Sequence, residues 1–121
     1  MAYKSQSQPK FEELLQVSRE TIISLEKYEE MLIIENKSLN LIGNSTVPEI
    51  WNRHLLDSFQ VIDFIDKNSK ICADLGTGAG FPGIVLSLLF REKKYPIRIN
   101  LYEKSPKKCQ ILTKIVKKLD L

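Results

Sequence analysis

At 121 residues, 43% of them hydrophobic, the chain has material for one packed domain and is too apolar for wholesale disorder. No run of about 18 apolar residues occurs, which excludes a membrane-spanning helix, and the opening "MAYKSQSQPK" lacks an apolar signal segment, so a cytoplasmic protein is expected. The net charge of +3 is unevenly placed: residues 1–66 carry 6 basic and 11 acidic side chains and residues 67–121 carry 12 and 4, which fits either a polyanionic partner for the second half or two surfaces that attract each other.

From Pro9 to Val17, Phe11, Leu14, Leu15 and Val17 fall near one face of a short helix. Ser18 is placed to cap a second helix running to Lys37, in which Ile22, Leu25, Tyr28 or Glu29, and Leu32 recur at helical spacing. "NKSLNLIGNST" breaks the pattern into a loop with an apolar plug at Leu39, Leu41 and Ile42. Thr46 with Glu49 three residues on spells a capping box, predicting a helix from Val47 to about Ile65 with a stripe of Trp51, Leu55, Phe59 and Ile62. "KICADL", Lys70 to Leu75, predicts a short buried strand. "PGIVLSLLF" predicts a helix with Pro82 in its first turn, and the alternation from Ile97 to Glu103 predicts a second strand. Ser105 and Pro106 open a last helix whose apolar face is Ile111, Leu112, Ile115, Val116 and Leu119. The fold class is therefore α/β: an N-terminal helical region over 1–66, then over 67–121 the beginning of a helix-covered parallel sheet.

Between the first strand and its helix lies "DLGTGAGFPG", holding four of the chain's five glycines. A flexible linker does not fit between two hydrophobic elements, and no Lys-Ser/Thr pair follows to make a Walker loop. Two nucleotide readings compete, beside the plain alternative of a tight structural turn. Gly78-Ala79-Gly80-Phe81-Pro82-Gly83 matches the G-x-G-x-x-G dinucleotide pattern, with Glu103 placed for ribose hydroxyls. Asp74-Leu75-Gly76-Thr77-Gly78-Ala79-Gly80 matches a site for S-adenosylmethionine (SAM), where an acid at the strand end has an ammonium to attract instead of a phosphate to repel. The charge argument favours SAM. Cys72 and Cys109 match no metal-ligand spacing and read as reduced thiols, and the single histidine, His54, has no second histidine to share a metal, so none is expected.

"RHLLDS" (Arg53 to Ser58), the upstream "NLI" (Asn40 to Ile42) and "DLGTGAGFPG" together resemble the bacterial 16S ribosomal RNA methyltransferase G family, also called the glucose-inhibited division protein B family. The resemblance runs from about Tyr28 to the last residue. It implies a SAM-dependent, Rossmann-like methyltransferase domain acting on N7 of a guanine in small-subunit rRNA. Carried over by position, the SAM loop falls on Gly76, Thr77, Gly78, Ala79, Gly80 and Phe81, with Asp74 beside it and the ribose-binding acid at Glu103. The family's His-x-x-Asp-Ser element falls on His54, Asp57 and Ser58, a pocket wall in which His54 is alternatively an interfacial residue held by Asp57. Ile42 stands where the family commonly has threonine. The resemblance also implies a larger parallel sheet, so the chain reads as C-terminally truncated, with its guanine pocket and catalytic residues unassigned.

Guanine N7 offers an in-plane lone pair, so the implied reaction needs alignment more than a strong base. Lys104, Lys107 and Lys108 at the start of the last helix, with Lys114, Lys117 and Lys118 along it, are candidate contacts to 16S rRNA or the small ribosomal subunit. They read equally as a solvated helix face. The rival functions are a truncated non-catalytic remnant or adaptor, which need not bind SAM, and an NAD-binding oxidoreductase fragment, which would prefer NAD.

Overall fold

A computed structural model describes residues 16–121. Phe11, Leu14 and Leu15 of the first expected helix lie outside the described residues; Val17 lies outside regular structure, before the next helix.

Helix α1 (Arg19–Asn36) starts where expected, with the Ser18 hydroxyl accepting the Thr21 amide. Its buried stripe is Ile22, Leu25, Tyr28, Glu29 and Leu32. Asn36 closes it: its Oδ1 accepts the Leu41 and Ile42 amides at 2.7 and 3.0 Å, folding the apolar plug back onto the helix end. Ile42 is buried in the core, a fitting place for an aliphatic residue.

The next helical stretch departs from expectation. The chain winds as a 3-10 helix over Asn44–Glu49, a π-helix over Ile50–Leu55, helix α2 (Leu56–Gln60) and a 3-10 turn over Val61–Phe64. There is no capping box. The Thr46 amide that Glu49 would have to satisfy already donates to Gly43 O at 2.9 Å, and the Glu49 carboxylate takes Arg53 instead. The Leu56 amide reaches Trp51 O, five residues back, which marks the widened turn. The stripe survives: Trp51, Leu55 and Phe59 are buried, with Ile62 half-buried at the rim.

Strand β1 (Ile71–Leu75), helix α3 (Gly83–Lys93), strand β2 (Arg98–Tyr102) and helix α4 (Pro106–Lys118) complete the order. Pro82 is the N-cap of α3, one position before its first turn. Ser105 caps α4 as expected, accepting the Lys108 amide. The strands pair in parallel with Ile71 opposite Arg98 and Leu75 opposite Tyr102. Side chains alternate, so Cys72, Ile99 and Leu101 face the helices and join the core, while Ile71, Leu75 and Tyr102 share the other face. That other face is open: Ile71 is 60% and Leu75 78% exposed, so β1 is not the buried strand its apolar run predicts. A continuous apolar run signals a strand covered on both faces, and only one face is covered among the described residues.

One core, with Trp51, Tyr28 and Phe90 its largest members, runs from Ile22 to Leu119 and draws on both halves of the chain. Truncating a fully buried member such as Leu25 to alanine costs about 2–5 kcal/mol. Arg91 ties three elements, donating to Leu119 O at 3.0 Å and to Ser24 Oγ at 3.2 Å. No helix among the described residues is long and apolar enough to cross a membrane.

Candidate functional site

The glycine turn leaves the end of β1 and is held against the end of β2. The Gly76 and Thr77 amides both donate to Tyr102 O, at 2.9 and 3.0 Å. Gly76, Gly78 and Gly80 have φ of +68°, +58° and +100°, a backbone that side chains disfavour. The four glycines divide by what surrounds them. A Cβ on Gly76 or Gly78 would meet nothing within 4 Å, so these two present bare backbone to an open side. A Cβ on Gly80 would strike Ile84 and Tyr28, and one on Gly83 would strike Leu101 and Asp74. Those two let helix, strand and turn pack closely.

Asp74 is turned inward. Its Oδ2 accepts the Thr77 hydroxyl at 2.6 Å and the Gly83 amide at 3.0 Å, pinning the start of the turn to the start of α3. Thr77 and Ala79 are buried, so they face the protein and leave only backbone for a ligand.

Glu103, just past β2, reaches across to the turn. Its Oε1 accepts the Gly78 amide at 3.0 Å and its Oε2 the Ser105 amide at 2.9 Å. The Ser105 and Gly78 amides, with Lys108 nearby, hold this carboxyl below its usual range, so it stays ionised. Each oxygen keeps a second lone pair for a ligand hydroxyl or ammonium. The two acids expected at the site are thus both wired to the turn, one behind it and one at its edge.

This wiring bears on how a phosphate would fare at the turn. A pyrophosphate site needs backbone N–H groups aimed outward. Here the amides of Gly76, Thr77, Gly78, Gly80, Phe81 and Gly83 are all spent on protein acceptors, two of them carboxylates. The arrangement suits a ligand rich in hydrogen-bond donors and positive charge more than a phosphate.

The His-x-x-Asp-Ser element does not form one cluster. His54 stacks on Phe81 of the turn, with ring centroids 5.0 Å apart and planes at 15°. Its Nε2 lies 3.0 Å from Thr46 Oγ1, whose own proton goes to Gly43 O, so Nε2 is the donor. Burial lowers the His54 pKa, opposed by the charge of Asp57 and reinforced by Arg53, which favours the neutral ring. His54 is therefore held by Thr46, and Asp57 is exposed and acts on it through charge. Ser58 is buried and donates to His54 O at 2.7 Å, back into its own helix.

Two contributors to the site went unread in the sequence. Thr46 looked like a helix cap and instead anchors His54. Tyr28 looked like a core stripe residue, yet its hydroxyl donates to Ala79 O at 2.6 Å. A tyrosine at a fully buried stripe position needs a partner for its hydroxyl, and that was the available signal.

Lys104 and Lys107 are exposed and Lys108 is half-buried at the start of α4. Lys114 stands apart from them, forming an ion pair with Glu35 of α1 at 2.8 Å. Among the described residues no group of three or more His, Cys, Asp or Glu side chains is arranged to hold a metal ion.

Residues 21–121 match the family model described as GidB, rRNA small subunit methyltransferase G. Proteins named Ribosomal RNA small subunit methyltransferase G are similar to the chain. That of Parvibaculum lavamentivorans is 38% identical over 107 residues, covering 88% of this chain and 47% of the relative. That of Pelagibacter ubique is 40% identical over 107 residues, covering 87% and 50%. That of Bartonella henselae is 42% identical over 116 residues, covering 93% and 53%. The chain spans about half the length of the curated relatives it matches.

Proposed function

The chain belongs to the rRNA small subunit methyltransferase G family, and from that premise we propose that it serves SAM-dependent methylation of N7 of a guanine in 16S ribosomal RNA, in the cytoplasm. The observation that carries the cofactor reading is the bond between Glu103 and the Gly78 amide. It sets an ionised carboxylate, with lone pairs to spare, beside bare backbone at Gly76 and Gly78. Two adjacent ribose hydroxyls are the natural donors to such a carboxylate. The negative charge of Asp74 behind the turn favours an ammonium or sulfonium and disfavours a phosphate.

SAM, when bound, supplies an electrophilic methyl group on a sulfonium. Guanine N7 would take that methyl through its in-plane lone pair as the methyl–sulfur bond broke to leave a neutral thioether, so no proton would have to leave first. The chain's residues therefore contribute placement and charge, not a base. Glu103 orients the hydroxyl-bearing end of the ligand. Gly76 and Gly78 allow close approach. Asp74 keeps the turn closed on α3. His54, neutral and tied to Thr46, serves as pocket wall through its stack on Phe81. Lys104, Lys107 and Lys108 supply a surface for rRNA phosphates, with Lys114 joining them when its pair with Glu35 opens.

The test is calorimetric titration of the chain with SAM and separately with NAD. Saturable SAM binding is expected, with NAD much weaker. Glu103→Ala should weaken SAM binding about 10- to 100-fold, the range for a charge-assisted hydrogen bond. NAD binding at least as tight as SAM, or indifference to Glu103→Ala, overturns the reading.

A further inference from the structure

Helix α1 carries no residue of the glycine turn, yet it holds the turn's far side. Tyr28 is fully buried, and its hydroxyl donates to the Ala79 carbonyl across 51 residues of sequence. The fit is close: a Cβ on Gly80 would sit 2.7 Å from the Tyr28 oxygen. The Phe81 ring lies between Tyr28, at 5.4 Å between centroids, and His54, at 5.0 Å. His54 leads on to Thr46, and Thr46 to Gly43 O.

The turn is therefore gripped from two directions. Asp74, Glu103 and Tyr102 O hold Thr77, Gly78 and Gly83 from the sheet side. Tyr28 and the Phe81 stack hold Ala79, Gly80 and Phe81 from the helical side. A buried carbonyl such as Ala79 O, if it lost its donor, would turn to find another, and the peptide between Gly78 and Gly80 would turn with it. That movement disturbs the Gly78 amide that fixes Glu103.

We infer that Tyr28 is a positioning residue of the methyl-donor site: its hydroxyl sets the Ala79 peptide, and through it the Gly78–Glu103 contact, so that affinity for the donor depends on a helix that contributes no residue to the turn. The inference rests on the turn's being the donor site. Burial, reinforced by the charge of Asp74, raises the Tyr28 pKa well above its ordinary value, so the hydroxyl keeps its proton and donates throughout the working range.

The test is Tyr28→Phe in the whole chain, with Leu25→Val as a comparator that loosens the same helix away from the turn. Two readouts are taken. Hydrogen exchange of the ligand-free chain reads the amides of Gly80 and Phe81, both bonded to Thr77 O, and of Ile84, bonded to Gly80 O. SAM titration reads affinity. Tyr28→Phe is expected to speed exchange at those three amides roughly tenfold and to weaken SAM several-fold, with β1–β2 amides unchanged. Leu25→Val is expected to lower the unfolding midpoint and leave SAM affinity alone. Unchanged exchange at the turn, or the same SAM loss in both variants, overturns the inference. A wild-type chain that ignores SAM overturns the proposed function instead, and the exchange readout then decides the grip on its own. Should Tyr28→Phe unfold, 3-fluorotyrosine at Tyr28 keeps the ring and changes only the donor strength of the hydroxyl bonded to Ala79 O; altered exchange at the same three amides is expected, and unchanged exchange overturns the inference.

Discussion

A methyl group added at Gly80 would stand 2.5 Å from Ile84 Cδ1 and 2.7 Å from the Tyr28 oxygen, on a backbone with φ of +100°. Gly80→Ala should therefore destabilise the fold by about 2–4 kcal/mol, from overpacking plus strain. Gly78→Ala meets open space at φ +58° and should cost only about 1–2 kcal/mol while impairing ligand binding. Denaturant unfolding of the two variants checks the contrast. Glu29 gives a second prediction. It is 2% exposed, beside Trp51, and its pKa is raised from 4.5 to about 7, chiefly by burial, with Glu26 and Glu30 adding to the rise and the Trp51 indole opposing it. The folded chain thus keeps a proton that the unfolded chain has released. The stability this contributes is fully present below pH 4.5 and is lost as pH rises to about 7. Glu29→Gln should raise the melting midpoint by a few degrees at about pH 8 and change it little at about pH 4. Trp51, the only tryptophan, reports the unfolding by fluorescence. The glycines and both acids were legible in the sequence because their chemistry is local to strand ends. Tyr28 was not, because its role is set by a partner 51 residues away.

At the scale of elements, α1 and α4 were legible because Ser18 and Ser105 cap them in the simplest way. The stretch from Asn44 to Phe64 was legible only as helical. Its apolar spacing fits several windings, and the change from 3-10 to π to α follows from hydrogen bonds at Thr46 and Trp51 that spacing does not encode. The spacing groups His54, Asp57 and Ser58 on one face; in the fold their side chains take different surroundings, His54 against Thr46, Ser58 buried on His54 O and Asp57 exposed. Helix α4 carries the RNA prediction. Lys104→Glu with Lys107→Glu should weaken rRNA binding and flatten the plot of log affinity against log salt by up to about 2, as for two lost phosphate contacts. Binding and salt slope both unchanged would remove that surface. Lys114→Ala should instead cost about 1 kcal/mol of stability, since the lysine is 62% exposed while its partner Glu35 is 20% exposed.

For the molecule as a whole, the open sheet face is the main departure from what the apolar strand predicted. Ile71, Leu75 and Tyr102 lie together on it, and both strands have an unpaired edge among the described residues. The chain spans about half the length of its relatives, and on its own such a face and such edges favour pairing with another chain. Concentration-dependent self-association by sedimentation is expected, and Ile71→Lys should reduce it without touching the glycine turn. The uneven charge has an internal use among the described residues, Lys114 of the basic half meeting Glu35 of the acidic half. The helix that Glu35 belongs to also sets a condition on biosynthesis. Tyr28 bonds a residue 51 positions on, Ser24 one 67 on, and Glu35 one 79 on. A ribosome adding about 5–20 residues per second leaves the apolar side of α1 without these partners for roughly 3–15 s after it is made. During that interval the segment holding Ile22, Leu25 and Leu32 is a natural client for a chaperone, and slowing translation should lengthen its exposure in proportion.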